Sequence, residues 1–521
     1  MKNDLLVTSV LFTPLLGILP ILLWPRGREN QIKWIALITS IIAAGASLTL
    51  LAAYNSSIAG PQHEHLVEWF AFGNFRINYY VAVDGLSILL ILLSTFIMPL
   101  AILFSLNHVT ERVRLYYTFM MILEFAVIGV FVAQDLFLFY IFWEVSLVPM
   151  YFLIGIWGSD NRIYAAVKFF LYTMVGSLLM LLAILWMGNN FGTFNVHEIV
   201  ARVQAAAATP QGAYPSVLIE GLLFLGFFAA FAVKVPIWPL HSWLPDAHVQ
   251  APTAGSVILA GVMLKLGTYG LIRFCIPMFP QAAITFAPFI CVLAVIGIIY
   301  GAWVSYAQTD VKKLVAYSSI SHLGFVVLGI FSLTQAGMTG GILQMVNHGI
   351  STGGLFLLVG MLYERRHTKA IDAFGGIWKV MPLFSGLSLV IVMSSMGLPG
   401  LNGFVGEFTI LLGAFNSPVL ANALFAVFAA IGVILAAVYL LYMWNKVFMG
   451  EVKWQENLRL PKLTWNEVTA LAIVVVAALV VGLYPRPFFG LIDQTTNEIR
   501  AQVVRYIPNQ PQTALAVEAQ K

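Results

Sequence analysis

The chain has 521 residues, of which 60% are hydrophobic and only 10% charged, with a mean hydropathy of +0.89. That composition excludes an ordinary soluble domain, and recurring apolar runs of about 18 residues or more put the chain in the polytopic membrane class. A net charge of +4 leaves no basic patch for nucleic acid, the two cysteines (Cys275 and Cys291) lack CxxC or Cys/His spacing, and no GxGxxG or GxxxxGK[ST] run is present, so any redox or nucleotide chemistry is expected in a partner.

Hydropathy resolves about fourteen spans. They lie near 4–24, 34–54, 84–106, 114–133, 136–157, 163–187, 216–239, 252–276, 283–305, 312–333, 337–363, 381–414, 420–445 and 465–484, and are numbered in that order. The expected fold class is an all-α polytopic membrane protein. The first segment contains Pro14 and Pro20 and ends at Trp24-Pro25 without a small-residue cleavage site, so it reads as a retained span and not a signal peptide. In span 7, Pro236 and Pro239 follow closely on Lys234, with Pro245 and Pro252 beyond. Proline removes a backbone donor and clashes one turn back, so this span is expected to break where its lysine sits. Span 12 is too long for one straight helix and holds Gly397-Leu398-Pro399-Gly400 and Gly403, so a second break is expected there. Residues 486–506 have the pattern of an interfacial amphipathic helix, and roughly the last fifteen residues read as disordered.

Positive charge sets orientation. Loops after odd-numbered spans carry Arg26, Arg28, Lys33, Arg112, Arg114, Arg162, Lys312, Lys313, Arg365, Arg366, Lys369, Lys379, Lys446, Lys453, Arg459 and Lys462. The even-numbered loops and the N-terminus offer only Lys2, Arg76, Arg202 and Arg273. The odd loops are therefore expected in the cytoplasm and both termini on the far side, together with the acidic 55–83 and the 188–215 connections. Spans 4–8 and 9–13 each hold five segments with a proline-broken fourth member. Five is odd, so the second block runs inverted, the arrangement that places a site at the bilayer midplane. The domain boundaries expected are 1–110 for spans 1–3, 111–277 and 278–450 for the two repeats, and 451–521 for span 14 and the tail.

Ionisable residues inside spans are costly and are functional candidates by default. Lys234 lies beside the break in span 7, and Lys265 sits mid-span among Gly261, Gly267 and Gly270, facing protein or water. Glu144, mid-way along span 5, reads either as a protonated group bonding a neighbouring helix or as the counter-ion of Lys234, where opposed desolvation and charge terms let a small displacement move a proton. His322 and His348 lie near the middle of spans 10 and 11, and imidazole both donates and accepts near neutral pH. Ser318, Ser319, Ser321 and Asn347 beside them could hold water. Glu407 follows the break in span 12 as either a capping carboxylate or a proton group. Glu124 in span 4 reads equally as a helix–helix hydrogen bond, and Lys168 as a snorkelling lysine. His241, Asp246 and His248 read as a polar mouth and not a metal site.

The run KVPIWPLHSWLPDAHVQAPTAGSVILAGVMLKLGTYG (234–270) resembles the signature of the antiporter-like membrane subunits of respiratory complex I. FYIFWEVSLVPMYFLIG (139–155), VKKLVAYSSISHLGF (311–325) and GLPGLNGFVGEF (397–408) resemble the same family in the same order. The resemblance implies a fourteen-helix core of two inverted five-helix repeats around a hydrated polar axis, with helices 7 and 12 broken. It further implies a charge pair of Glu144 and Lys234, a central relay at Lys265 and its continuation through His322 and His348. Most relatives carry lysine where this chain has Glu407, and glutamate there marks the M-type (chain 4) branch. The implied function is proton translocation in a bacterial inner membrane. NADH, FMN, iron–sulfur clusters and quinone would be held by partner subunits, with L- and N-type subunits as neighbours. A cation/proton antiporter subunit, a quinone-site subunit and a passive spacer are the alternatives weighed against it.

Overall fold

The computed structural model describes residues 4–72, 75–207 and 216–507. Within them, 13 helices are long and apolar enough to cross a membrane, and a fourteenth crossing consists of two short apolar helices. The spans that build the centre are span 3 (Gly85–His108), span 4 (Val113–Val132), span 5 (Leu136–Trp157), span 6 (Arg162–Phe191) and span 8 (Thr253–Met278). With them stand span 9 (Pro280–Tyr306), span 10 (Val311–Phe331), span 11 (Gln335–Arg366), span 13 (Leu424–Phe448) and span 14 (Trp465–Leu483). A helix apolar on all sides can face either lipid or protein, and burial separates the two cases. The most apolar stretches of spans 8 and 11 are entirely buried, whereas fewer than half of the corresponding residues in spans 1, 2, 6 and 13 are. Span 11 packs on spans 3, 8, 10, 12 and 14, which makes it the central post of the bundle.

Both expected breaks are present. Span 7 is helical over Val217–Lys234, turns through residues 235–242 and resumes as Trp243–Gln250. Span 12 is helical over Pro382–Ser395 and again over Asn402–Phe415. Between those halves Gly397 and Gly400 take φ +80° and +92°, the left-handed region that a side chain disfavours. Helix N-termini leave orphan backbone amides that need acceptors. Asp84 caps span 3 in a reciprocal box with Ser87, Asp135 caps span 5, and the Glu220 carboxylate accepts from the amides of Gln281 and Ala282 at the start of span 9.

The described parts of the 55–83 and 188–215 connections are more ordered than their loop-like sequence suggests. Residues in the 55–83 connection form an antiparallel hairpin of β1 (Gln62–Phe72) and β2 (Phe75–Val83). Val81 bridges to Ala133, Asp135 bridges to Asn195, and a short helix, Val196–Ala207, follows. The tail helix, Arg486–Val504, is amphipathic as expected, but its inner face is covered by protein: Ile492, Thr495, Thr496, Ile499 and Val503 are buried. It lies on spans 3 and 11, where the Gly85 amide donates to Thr495 Oγ1 at 3.0 Å and Gln335 Nε2 donates to Thr496 Oγ1 at 2.7 Å. The terminal segment expected to be disordered lies, from residue 508 on, outside the described residues.

Two charges read as loop residues are buried. Lys312 stands in the first turn of span 10 and donates to the Ala251 carbonyl at 2.6 Å. Arg273 lies within span 8 and pairs with Asp84 at 2.5 Å, both side chains being nearly inaccessible. Hydropathy windows place such residues in loops because they score charge without knowing the partner that makes burial tolerable. Burial pushes the Asp84 carboxyl up, but the Arg273 charge and the hydrogen bonds from Arg273 and Ser87 outweigh it and hold the group below its usual range. A depressed carboxylate stabilises the fold fully above its unfolded value near ~3.9 and loses that contribution as pH falls through the folded value. Removing one partner strands the other charge, so Arg273→Met should destabilise the protein by about 3–5 kcal/mol. The double variant Asp84→Asn/Arg273→Met keeps the helix cap and should recover most of that loss. Thermal unfolding of the detergent-solubilised protein checks both. Equal loss in single and double variants would show that packing of the arginine stem, and not the charge pair, holds this end together.

Candidate functional site

Span 8 is the axis of the site. Its helix is interrupted by two π turns, Leu259–Met263 and Leu271–Cys275, with Lys265 between them. Such turns are rare and concentrate at functional positions. Gly267 lets span 8 approach the end of span 7's first half, since a Cβ there would stand 2.9 Å from Phe231 O and 3.1 Å from Val235 N. Lys265 is 0% exposed, and its ammonium donates to Ala260 O at 2.5 Å and to His348 Nδ1 at 2.7 Å. With Nδ1 accepting, a neutral His348 carries its proton on Nε2.

From His348 the arrangement continues to the second broken span. The His348 and His322 ring centroids are 6.0 Å apart. His322 Nδ1 lies 2.9 Å from Glu407 Oε1, and its Nε2 lies 3.0 Å from the Tyr439 hydroxyl. Gln344 Nε2 donates to the same Glu407 oxygen at 3.1 Å. Glu407 therefore does not cap the restarted half-helix. That end is held by Asn402, whose backbone carbonyl accepts from Asn347 Nδ2 at 2.7 Å and whose side chain meets Ser394 and Asn347 O. The break and the carboxylate are adjacent: a Cβ on Gly397 would stand 3.1 Å from Glu407 Oε2. Of the serines beside His322, Ser318 and Ser319 donate to Val315 O and Ser321 donates to Ile298 O.

The first half is organised differently. Lys234 is the last residue of its helix and 0% exposed, and its ammonium has no hydrogen-bond partner among the described residues. It faces two aromatic rings instead, with Trp143 at 5.4 Å and Phe169 at 5.5 Å, positions that favour a cation through the ring quadrupole. Glu144, next to Trp143 and half-buried, is the charged group that acts on Lys234 through space, but no hydrogen bond joins them. The sequence thus brings the two together as neighbours and the structure leaves the pair open.

The connector after the break is tied down by other charges. Lys168 does not snorkel: its ammonium pairs with Asp246 at 2.7 Å, and Tyr172 bonds Ser242 at 2.9 Å. At the end of the half-helix Trp243–Gln250, Lys369 donates to Val249 O at 2.7 Å and Lys312 to Ala251 O, as noted above. Cations at a helix C-terminus complement its exposed carbonyls. Burial pushes the Lys369 ammonium down, opposed by Asp310 and Asp160. These lysines, with Glu111, Arg162, Gln250 and Glu364, line a cavity of about 320 Å³ at the basic-loop end. His248 is fully buried and stacked on Phe356 at 4.4 Å, with both ring nitrogens unbonded among the described residues. His241 sits apart from it, against the Tyr300 ring at 5.1 Å.

The site therefore gathers Lys265, His348, His322 and Glu407 into one buried series and sets Glu144 and Lys234 on its flank. Sequence reading missed Gln344, Tyr439 and the burial of Lys312. Gln344 was legible, being four residues before His348 and so on the same helix face. Tyr439 gave no signal, since an aromatic residue in an apolar span looks like ordinary packing.

Known proteins resemble this chain over most of its length. Residues 133–457 match the family model described as NADH:quinone oxidoreductase/Mrp antiporter, TM, and residues 11–130 match that of NADH-ubiquinone oxidoreductase chain 4, amino terminus. The chain is 43% identical over 500 residues to NADH-quinone oxidoreductase subunit M of Rhodobacter capsulatus, covering 95% of this chain and 96% of the relative. It is 43% identical over 492 residues to subunit M of Escherichia coli (91% and 94% covered). Among solved structures it resembles a chain of respiratory complex I from Thermus thermophilus with bound NADH, with a TM-score of 0.83 at 29% identity, covering 95% and 99% of the two chains. A chain of the Mrp complex from Dietzia sp. DQ12-45-1b shares the fold, with a TM-score of 0.81 at 18% identity over 96% and 99% of the two chains. The chain belongs to the family of NADH:quinone oxidoreductase and Mrp antiporter membrane subunits, on the subunit M (chain 4) branch.

Proposed function

We propose that this chain carries protons across the coupling membrane as an antiporter-like subunit of a proton-translocating NADH:quinone oxidoreductase. The observation that carries the reading is the buried series from Lys265 through His348 and His322 to Glu407, in which bonded acid–base pairs are separated by one ring-to-ring step. The two imidazole rings are neighbours, with centroids 6.0 Å apart, so the proton has one short step to make between them. In this reading Lys265 passes a proton to His348 Nδ1, His348 releases one from Nε2 toward His322, and His322 delivers it to Glu407. Glu144 and Lys234 form the pair that opens and closes beside this path, supported by their adjacency and by the lack of a bond holding them shut. Moving one charge against 100 mV costs about 2.3 kcal/mol. Since one pKa unit is about 1.4 kcal/mol, a shift of a few units on closing such a pair is enough.

The cavity at the basic-loop end is the mouth from which protons enter, with His248 as the group between it and Lys265. The orientation in this reading follows the charge asymmetry of the loops. The basic end faces the cytoplasm and the termini face the periplasm, in the inner membrane of a bacterial cell. Segments 111–277 and 278–450 act as two inverted five-helix units, each with one broken span, supported by the matching breaks in spans 7 and 12. The chain contributes to the oxidoreductase as a subunit. NADH, FMN, iron–sulfur clusters and quinone belong to its partners, and L- and N-type subunits flank it in the membrane arm.

Substitutions at three residues test the reading. Lys265→Arg should lower proton uptake into vesicles by roughly tenfold or more, because guanidinium does not release a proton at accessible pH. Parental pumping by the arginine variant would make Lys265 an electrostatic anchor. Glu144→Ala should likewise abolish pumping in assembled complex while Glu144→Asp retains part of it, and normal pumping by the alanine variant would remove the pair from the mechanism. Glu407 separates carrier from fixed acceptor. Glu407→Gln preserves an acceptor for His322 and Gln344, yet should lose pumping, whereas Glu407→Lys restores a titratable group and should keep some. All are compared at equal assembly on native gels. A pumping glutamine variant would leave the second half without its terminal group.

A further inference from the structure

Span 4 holds a carboxyl that the series from Lys265 to Glu407 does not use. Glu124 is 1% exposed, and neither of its oxygens has a hydrogen-bond partner among the described residues. The helix–helix hydrogen bond that would make it structural is therefore missing. The carboxyl instead lines a cavity of about 10 Å³, closed by Ser94 and Ile97 of span 3, Val127 of span 4, and Ile258 and Val262 of span 8. That is the room one water molecule needs, and such a water takes two to four polar partners. Glu124 supplies two oxygens. Ser94 supplies a third, because its hydroxyl donates to Leu90 O at 2.7 Å and keeps its lone pairs.

The cavity also touches the axis of the site. Val262 belongs to the π turn Leu259–Met263, and Lys265 follows it by three residues, the spacing of neighbours on one helix surface. The Lys265 ammonium reaches back into that same turn to hold Ala260 O. We propose that Glu124 is a side branch of the proton path, storing a proton received from Lys265 through one water in this cavity. The Lys265 ammonium gives a proton to the water, and the water passes one of its own to the Glu124 carboxylate. A cation and an anion become a neutral amine and a neutral acid, so the net charge is unchanged and the reverse step restores both. With the proton parked, the Lys265 amine is free to take the next one from the connector side while His348 is still loaded.

This proposal rests on Lys265 being a proton carrier, and the test keeps the two apart. In the intact complex, Glu124→Gln should reduce proton uptake to about half the parental rate or less. Glu124→Asp should keep pumping with a displaced pH profile. A carboxyl carbonyl band in the infrared spectrum of the parental complex should vanish in Glu124→Gln and shift in Lys265→Arg. Parental pumping by the glutamine variant, a parental pH profile in the aspartate variant, or a band indifferent to Lys265→Arg would overturn the proposal. If the glutamine variant does not assemble, the aspartate profile decides alone, since a purely structural carboxyl would not move it. Parental pumping by Lys265→Arg would bring down the relay itself. Failure of Lys265→Arg with intact Glu124→Gln would bring down only the branch.

Discussion

A polar atom in hydrocarbon has no water to fall back on, and several of the buried charges among the described residues are placed by that constraint. An isolated ion in a low-dielectric interior costs several kcal/mol even after relaxation. The structure answers in three ways. Lys312 and Lys369 spend their protons on backbone carbonyls at a helix end. Lys234 is set between aromatic faces. Lys265 and Glu407 are given imidazole partners, which are the only ones of the three that can also take or give a proton. Backbone and ring partners fix a charge in place. Imidazole partners can take up or release a proton, which is what sets the central series apart chemically from the cationic rim.

The two halves of the fold are alike in outline and unlike in chemistry. Each has a broken span beside a buried ionisable group, but Lys234 ends the helix before its break whereas Glu407 lies in the helix after its own. One is a cation facing ring quadrupoles with its acid nearby but unbonded. The other is a carboxylate bonded by histidine and glutamine. A loosely held pair is sensitive to small displacements, and a bonded network resists them. The first half is thus built to respond and the second to hold, with span 8 and its two π turns between them.

Much of this was legible in the sequence because membranes impose long, regular signals. The spans and both breaks follow from hydropathy and from prolines and glycines at fixed places. The six central ionisable residues stand out because charge inside an apolar run is rare. What stayed hidden depends on partners brought from elsewhere in the chain. Arg273 and Lys312 looked like loop charges, since nothing near them in sequence announces Asp84 or Ala251. Tyr439 looked like packing. The hairpin of β1 and β2 was masked by its setting between spans, where a polar connection reads as loop. His248 was visible as a residue, but only its complete burial against Phe356 distinguishes it from His241, seven residues earlier.

The bond between the Gly85 amide and Thr495 has a consequence for biogenesis. Its partners are 410 residues apart. At synthesis rates of about 5–20 residues per second, roughly 20–80 s separate the emergence of span 3 from that of the helix that closes over its end. By the end of that interval every crossing has been made, and the Gly85 amide gains its Thr495 partner only when the tail helix docks. The Arg486–Val504 helix thus follows every crossing in translation and closes over the start of span 3. A ribosome that stops early leaves behind a chain with all its crossings and no lid.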